Sequence, residues 1–304
     1  MVDLVAFGVI IDDIVYPDGS TRMGVLGGGG PQTAFGMRLW SPSVGIVAGI
    51  GTGFSAIVKD WTNESGIDGS GLRVSDVPTP RAWQLLEHDE RRTQVWRVPL
   101  DVVQTQIERS IDHLPDVYRK ARGFHFGIHP DEPDHEFIEA LRDLGCVVSI
   151  EPFKPADRLP DRRALETLLS RTDIFSTNQV EARSLVGGNE PLDQARRLLD
   201  GGASIVVLRL GSGGSIILDG KTGAGYQVPA VPGRVVDPIG AGNAYCGAFI
   251  AGWVHCRNLK TAGLYGSVAA SFLVEQIGVP VCNEEMVEKS RRRIQAIEQK
   301  VESI

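Results

Sequence analysis

Short apolar runs alternate with amphipathic stretches over most of this chain, and this alternation is the feature that most restricts its fold. The apolar runs are typical of buried strands: Leu4–Ile11, Val44–Ile50, Gly123–Ile128, Val147–Ile150, Ile174–Thr177 and Ser204–Leu210. Between them lie stretches of helical character: Pro31–Leu39, Phe54–Thr62, Pro133–Leu144, Arg163–Leu169 and Leu192–Leu199. Strands that are apolar on both faces and separated by helices predict an α/β fold, with a central, mostly parallel sheet and helices on both faces. From Gly240 onward the pattern is mostly helical, ending in Glu284–Val301.

Two segments break the alternation and predict a small β lid. Ile14–Leu26 contains the turn signal Pro17-Asp18-Gly19, and Arg81–Val98 alternates around Asp89-Glu90-Arg91. We place the lid strands at about residues 12–26 and 81–100, inserted in one domain that spans 1–304. Ordinary surface ribbons are the alternative interpretation.

Composition excludes several classes of partner. The net charge is −7 and no basic cluster is present, so nucleic acid is not an expected partner. No apolar run approaches the roughly 20 residues of a membrane span, and the N-terminal run lacks the basic region of a signal peptide. The 4 cysteines form no CxxC pair and the 6 histidines show no metal-ligand spacing. We therefore expect a cytoplasmic protein with reduced thiols.

A glycine-rich turn before a predicted helix carries the strongest chemical signal. Gly240 and Gly242 permit a tight turn with uncovered backbone N–H groups, and Ala241–Val254 is predicted to be a helix. Such groups lie at the positive end of a helix and suit a phosphate oxygen. A turn that exists only for packing is the alternative.

Two better-known nucleotide motifs are not matched. The P-loop pattern fails at Gly220-Lys221-Thr222, because Ser215 stands where its first glycine belongs and the flanks are predicted strands. The dinucleotide pattern GxGxxG fails at Gly240 and Gly242, because Tyr245 follows. A nicotinamide dehydrogenase thereby loses its main support.

Five short motifs, in order, resemble those of the PfkB/ribokinase family of carbohydrate and nucleoside kinases over nearly the whole chain. They are the strand end Asp12-Asp13, Gly27-Gly28 followed by Gln32, Ala34 and Met37, the NxxE pattern Asn178–Glu181, the segment Leu208–Gly214, and the turn Asp237–Asn243. The resemblance implies a ribokinase-like fold, ATP and Mg²⁺ as cofactors, and a small-molecule substrate phosphorylated on a hydroxyl. A monovalent cation and a homodimer formed through the lid are further expectations of this resemblance.

The resemblance also assigns roles to individual residues. It implies that Asp12 or Asp13 binds substrate hydroxyls, that Gly27-Gly28 is the hinge of the lid, and that Gln32 faces the substrate. The nucleotide would meet Asn178, Arg209, Gly211 and Gly214. Glu181 would organise magnesium through water, and Asp237 with the Ile239 carbonyl would hold the monovalent cation. The catalytic anion hole would be formed by Gly240, Ala241, Gly242 and Asn243.

One departure from the family pattern bears directly on catalysis. The last position of the family's DTxGAGD signature is an aspartate that acts as general base, and here it is Asn243. A carboxylate with a pKa near 4 accepts a proton, whereas a neutral amide does not. General-base catalysis is worth about 10²–10⁴-fold, but phosphoryl transfer depends mainly on positioning and charge stabilisation. In this respect the chain resembles a fungal branch of the family with Asn at this position. Capping of the following helix is the alternative role for Asn243.

Three other positions also differ from the family pattern. Gln32 stands where relatives often have asparagine, and Arg209 and Pro238 each stand where the pattern has threonine. Asp12, Asp13 and Glu151 are the acids that could replace the missing base. Three functions remain open: an attenuated ATP-dependent phosphotransferase on a sugar, nucleoside or related small polar substrate, a nucleotide-binding pseudokinase, and an active site used for another reaction. The residues do not select a substrate.

Overall fold

The computed structural model describes residues 2–87 and 92–304. The predicted turn Asp89-Glu90-Arg91 therefore lies outside the described residues. In this part of the chain there are fourteen strands: β1 (Leu4–Phe7), β2 (Ile10–Val15), β3 (Thr21–Gly27), β4 (Val44–Thr52), β5 (Asp68–Pro78), β6 (Arg81–Leu86), β7 (Arg92–Trp96), β8 (Gly123–Ile128), β9 (Val147–Pro152), β10 (Ile174–Asn178), β11 (Ile205–Arg209), β12 (Ser215–Asp219), β13 (Gly225–Val228) and β14 (Glu302–Ser303).

Ten α-helices accompany these strands within the same residues. They are α1 (Gly29–Arg38), α2 (Ser55–Glu64), α3 (Leu100–Ile107), α4 (His135–Asp143), α5 (Arg162–Leu169), α6 (Gln179–Val186), α7 (Pro191–Asp200), α8 (Ala241–Cys256), α9 (Leu259–Val274) and α10 (Glu284–Ile297). Five of them begin at a side-chain cap that accepts a hydrogen bond from the third helical N–H: Asp134, Asp161, Asn178, Asn258 and Asn283. None of the described helices has the length and apolar composition needed to cross a membrane.

A ten-stranded sheet forms the centre of the molecule, with strand order β14-β13-β12-β11-β10-β9-β8-β1-β4-β5. In this spatial order, every neighbouring pair between β11 and β5 is parallel, and the three pairs between β14 and β11 are antiparallel. One core lies between this sheet and the side chains of α1, α8 and α9, and a second core packs α4, α5 and α7 on the opposite face. The predicted α/β architecture with helices on both faces is confirmed.

The strand order reverses at β1, which pairs with β4 on one side and with β8 on the other. In open parallel sheets, ligands bind outside the carboxyl ends of the strands near such a reversal. This edge is where the chain places its candidate site.

The four remaining strands form a separate small sheet, in the order β3-β2-β6-β7. In the residues that the structure describes, the chain crosses between the two sheets four times: before β2, after β3, before β6 and after β7. β2 and β6 run in the same direction, and β3 and β7 run opposite to them. The starts of β2 and β6 and the ends of β3 and β7 therefore lie at the same end of the small sheet, and all four crossings are there. Its strands come from the two segments predicted to form the lid, whose function as a lid stays a prediction.

One predicted strand is wrong. The run Leu4–Ile11 is not a single strand, because it divides into β1 in the central sheet and the start of β2 in the small sheet. The break falls at Gly8, whose φ of 85° lies in the left-handed region that glycine tolerates. Apolar residues continue on both sides of Gly8, because both strands are buried, and the apolar pattern therefore conceals the break.

Candidate functional site

The turn before α8 has the geometry of an anion site. Gly240 is left-handed, with φ 84° and ψ −4°, and the 16-residue helix α8 begins at Ala241. Among the described residues, the backbone N–H groups of Gly242 and Asn243 donate to no protein acceptor. Free N–H groups at the positive end of a long helix attract an anion.

Two amide side chains meet beside this turn. Asn243 Nδ2 donates to Gln32 Oε1 at 2.5 Å, and a Cβ added to Gly240 would overlap the Gln32 amide. The pair places α1 against the start of α8. No side chain caps α8, so the alternative role of Asn243 as a helix cap is not observed. Both groups are neutral amides and neither is a useful base.

Close contact between α1 and α8 fixes this amide pair. A Cβ at Gly36 would overlap the backbone oxygen of Ala244, and a Cβ at Gly247 would overlap the backbone oxygen of Thr33. Thr33 Oγ1 also donates to the backbone oxygen of Asn243 at 3.3 Å. The two helices therefore approach backbone to backbone at glycines.

Arg209 places a buried cation directly under the turn. Its side chain at the end of β11 is 11% exposed, and Nη1 lies 2.6 Å from Glu151 Oε2 while Nη2 lies 3.6 Å from Glu181 Oε2. A Cβ on Gly242 would overlap Nη1. Arg209 Nε has no hydrogen-bond partner among the described residues. Two carboxylates thus hold a guanidinium beneath the free N–H groups.

The acids considered as substitute bases differ sharply in basicity. Burial raises the pKa of Glu151, but Arg209 and His125 outweigh it and hold that pKa at about 2. Burial also opposes ionisation of Asp13, but hydrogen bonds from Arg81, Gly24 and Arg97 lower its pKa below the usual value. Burial raises the pKa of Asp12 to about 6, against the opposing hydrogen bond from Gln84. Asp12 is therefore the most basic of the three candidates.

Asp12 and Asp13 occupy different environments on β2. Asp13 binds Arg81 Nε at 2.7 Å and also contacts Arg97 Nη1, so its charge is already balanced within the small sheet. Asp12 accepts a hydrogen bond from Gln84 Nε2 at 2.7 Å, and a Cβ at Gly27 would overlap its Oδ2. Of the two predicted substrate-binding acids, Asp12 is the one that lies beside the di-glycine.

The close approach of the Ile10 backbone explains why position 28 is also a glycine. Its φ is 81°, and an added Cβ would lie 2.6 Å from the backbone nitrogen of Ile10. Glycine is required here by conformation and by space. The hinge role stays a prediction.

Asn178 and Glu181 form a reciprocal capping box at the start of α6. Glu181 N donates to Asn178 Oδ1, and Asn178 N donates to Glu181 Oε2, each at 2.9 Å. Thr177 Oγ1 donates to the same carboxylate oxygen at 3.2 Å. Burial raises the pKa of Glu181, although Arg209 opposes the shift. The NxxE pattern thus builds a helix start that faces Arg209.

The segment after β11 forms a tight glycine turn at the same edge of the sheet. Gly211 has φ 57° with open space around its Cβ position, whereas a Cβ at Gly214 would overlap the backbone oxygen of Val228. Gly211 therefore leaves an open surface beside Arg209, as the predicted nucleotide contact requires.

Both oxygens of Asp237 have protein partners. Oδ1 accepts from Ile239 N at 2.9 Å, and Oδ2 accepts from the Tyr16 hydroxyl at 3.3 Å. Glu181 Oε2 is likewise occupied, which leaves Glu181 Oε1 without a partner in the described residues. Glu181 therefore keeps one carboxylate oxygen that could hold a magnesium ion through water, whereas both oxygens of Asp237 already accept hydrogen bonds from the protein.

The sequence did not indicate the cluster beneath Arg209. His125 Nδ1 lies 2.8 Å from Ser149 Oγ, and His125 Nε2 lies 3.2 Å from Glu151 Oε1. Cys246 Sγ approaches the other Glu151 oxygen at 3.5 Å.

Two groups of side chains bring potential metal ligands together. Metal-binding atoms of His125, Glu151 and Cys246 lie within 4.8 Å of one another, as do those of His129, Asp131 and Asp157. Histidines thus do lie close to other potential metal ligands in three dimensions, which their spacing in the sequence did not indicate. In the first group, Arg209 already forms an ion pair with Glu151.

Comparison with known proteins identifies the family of the chain. A family described as "pfkB family carbohydrate kinase" matches residues 2–286. A protein named cytidine kinase from Thermococcus kodakarensis is 30% identical over 281 residues, covering 91% of this chain and 98% of that protein. A nucleoside kinase from Methanothermobacter thermautotrophicus is 28% identical, covering 90% of this chain and 88% of that protein.

Solved structures show the same fold. Ribokinase from Arabidopsis thaliana, complexed with ribose and ATP, superposes with a TM-score of 0.76 at 20% identity, covering 97% of this chain and 99% of that chain. An E. coli structure described as a ribokinase II with ATP and Mg²⁺ has a TM-score of 0.74 at 17% identity, covering 96% of this chain and 100% of that chain. With the match over residues 2–286, these findings show that the chain belongs to the PfkB family of carbohydrate kinases.

Proposed function

We propose that this protein transfers the γ-phosphoryl group of ATP to a hydroxyl of a nucleoside or sugar, at a rate attenuated by Asn243. The names of its relatives, cytidine kinase and nucleoside kinase, make nucleosides the first substrates to test. The observation that carries the proposal is the pair of free N–H groups at Gly242 and Asn243, directly above the buried Arg209 cation.

This arrangement suits the charge that develops during phosphoryl transfer. The substrate hydroxyl oxygen forms a bond to the γ-phosphorus, the bond to the oxygen bridging the β- and γ-phosphorus atoms breaks, and ADP leaves. The N–H groups of Gly242 and Asn243 stabilise the transferring oxygens, and Arg209 adds positive potential from below. Electrostatic stabilisation by preorganised donors of this kind is usually the largest single contribution to catalysis.

The hydroxyl proton requires an acceptor other than Asn243. Glu151 and Asp13 are held ionised by their arginine partners, so both are weak bases. Asp12, whose pKa burial raises to about 6, is the acid best suited to bind the hydroxyl and to accept its proton.

Magnesium, when bound with the nucleotide, would neutralise phosphate charge, and Glu181 Oε1 is the group available to hold it through water. Asp237 is the proposed monovalent-cation residue, and the cation would share that carboxylate with Ile239 N and Tyr16. A homodimer through the small sheet remains part of the proposal, and the edge strands β3 and β7 carry the exposed side chains Met23 and Val95.

The Asn243–Gln32 amide pair favours a second candidate, a nucleotide-binding pseudokinase. Its neutral groups replace the expected base without disturbing the turn. Binding without turnover would then be the whole activity.

Replacement of Asn243 by aspartate tests both candidates. In Asn243→Asp, Gln32 can rotate its amide and donate to the new carboxylate. We expect phosphoryl transfer to rise by up to about 10²–10⁴-fold, with ATP affinity nearly unchanged because the turn is retained. The measurement is product formation from labelled Mg·ATP over cytidine, uridine, adenosine and D-ribose, with nucleotide affinity by calorimetry.

Asn243→Ala, which removes the amide and adds no base, is the matched control and should not raise the rate. Robust wild-type turnover that collapses in Asn243→Asp would contradict attenuation, because the amide would then be the working group. ATP binding without transfer by either protein would favour the pseudokinase.

A further inference from the structure

Gln84, in the middle of β6, has a side chain that only half satisfies its hydrogen-bonding capacity. The residue is 2% exposed. Its Nε2 donates to Asp12 Oδ1 at 2.7 Å and to Gln94 Oε1 at 3.1 Å. Its Oε1 has no hydrogen-bond partner among the described residues. A buried acceptor without a donor costs free energy, so native proteins rarely retain one.

The orientation of this amide follows from its neighbours. Exchanging nitrogen and oxygen would place Gln84 Oε1 against the Asp12 carboxylate and against the Gln94 carbonyl oxygen. The contact with the ionised Asp12 carboxylate would then join two acceptors, whereas the exposed Gln94 amide is free to turn with Gln84. The nitrogen must therefore face Asp12, and the unpartnered oxygen lies at the other corner of the amide.

The position of Gln84 connects it to the candidate site. Asp12, its direct partner, lies against Gly27 just before α1, and Tyr16, which follows the same strand, donates a hydrogen bond to Asp237 at the start of the anion turn. Gln84 thus belongs to the face of the small sheet that borders the candidate site, opposite the Asp13–Arg81 face.

We propose that Gln84 Oε1 accepts a hydrogen bond from a hydroxyl or amino donor of the substrate, and that Gln84 determines substrate specificity beside Asp12. This inference rests on the proposed function for the class of substrate. Asp12 accepts from one donor and Gln84 Oε1 from another, so the recognised group carries two neighbouring donors, as a vicinal diol does. The oxygen is enclosed here, so the proposal requires the small sheet to separate from the central sheet before a donor can reach it.

The test measures substrate binding without ATP, so it does not depend on turnover. Calorimetric titrations use cytidine, uridine, adenosine and D-ribose, each ribose compound beside its 2-deoxy and 3-deoxy form. Cytidine against uridine tests an exocyclic amino donor. Gln84→Met removes both the donor and the acceptor, whereas Gln84→Lys keeps a donor toward Asp12 and removes only the acceptor. Gln227→Met, on the exposed face of β13, is the matched control.

We expect loss of one donor from the ligand to weaken wild-type binding by about fivefold or more. For the donor that meets Gln84, and so for one of the two deoxy forms, that penalty should shrink to less than about twofold in both Gln84 variants. It should persist for the donor that meets Asp12, and for both donors in Gln227→Met. An unchanged penalty in folded Gln84→Lys, no donor-dependent preference, or no binding of any probe overturns the proposal. A protein that discriminates donors but transfers no phosphate would retain this inference and lose the proposed kinase activity.

Discussion

At the scale of single residues, Arg209 changes the electrostatics of the site. Asn243 removes one negative charge from the family pattern, and Arg209 adds a positive one. Glu151 and Glu181 enclose the guanidinium, so its charge is balanced by two acids. With threonine at position 209, as in the family pattern, Glu151 and Glu181 would face each other without a cation between them. The arginine and Glu151 are therefore expected to depend on one another.

A double-mutant cycle tests this dependence. Arg209→Met should destabilise the protein by about 3–5 kcal/mol, because it leaves buried carboxylates unpaired. Glu151→Gln in the same background should recover part of the loss, since it removes one of those charges. Urea unfolding of the wild type, both single variants and the double variant gives the coupling. Additive effects within about 0.5 kcal/mol would show that the pair does not act as a unit.

Asp12 should set the acidic limb of the pH profile. Its pKa is raised from 3.8 to about 6, first of all by burial, so it loses its acceptor charge as the pH falls below about 6. We expect kcat/KM to decrease about tenfold per pH unit below that point. The same shift means that the folded state binds this proton more tightly, so the contribution of Asp12 to stability decreases as the pH rises from about 4 to about 6.

Rates between pH 4.5 and 8 provide the measurement. Asp12→Asn should lower activity and remove the acidic limb, whereas Asp18→Asn, on an exposed turn, should leave the limb in place. An acidic limb that survives in Asp12→Asn would assign it to another group.

At the scale of elements, the crossing of α1 and α8 positions the amide pair. Gly247→Ala places a methyl group against the backbone oxygen of Thr33, and neither backbone can yield without moving its helix. We expect a loss of about 1–3 kcal/mol from overpacking, together with reduced phosphoryl transfer, because Gln32 and Asn243 are displaced. Chemical unfolding and kcat provide the readouts.

Gly29→Ala is the matched control, because the nearest atom to its added Cβ is 3.8 Å away. It should change neither quantity appreciably. A Gly247→Ala protein with wild-type stability and turnover would show that the helices can separate without consequence.

Element prediction from sequence succeeded where burial and periodicity agree. The predicted helices over Arg163–Leu169 and Leu192–Leu199 correspond to α5 and α7 within one residue at each end. The separation of β1 from β2 was missed because buried strands of two sheets have the same apolar composition. The edge strand β5 was also missed, since most of its residues are not buried and its pattern is weak.

At the scale of the whole molecule, the sequence indicated candidate site residues but not what these residues contact. The turn Gly240–Asn243 was recognisable because its residues are consecutive. The contacts of Gln84 with Asp12 and of Arg209 with Glu151 join positions 72 and 58 residues apart, and no local pattern encodes such a pairing. The missing partner of Gln84 Oε1 is likewise visible only in three dimensions.

If the small sheet moves as the predicted lid, its attachment at one end of its strands would make the four chain crossings the pivot of that movement. The Tyr16–Asp237 hydrogen bond would lie at the far end of β2 from those crossings. Six residues of strand place Tyr16 about 20 Å from that pivot. A rotation of about 10° would then carry its hydroxyl roughly 3 Å, enough to break the bond. A lid rotation of this size would thus be sufficient to release the end of β2 that lies farthest from the crossings.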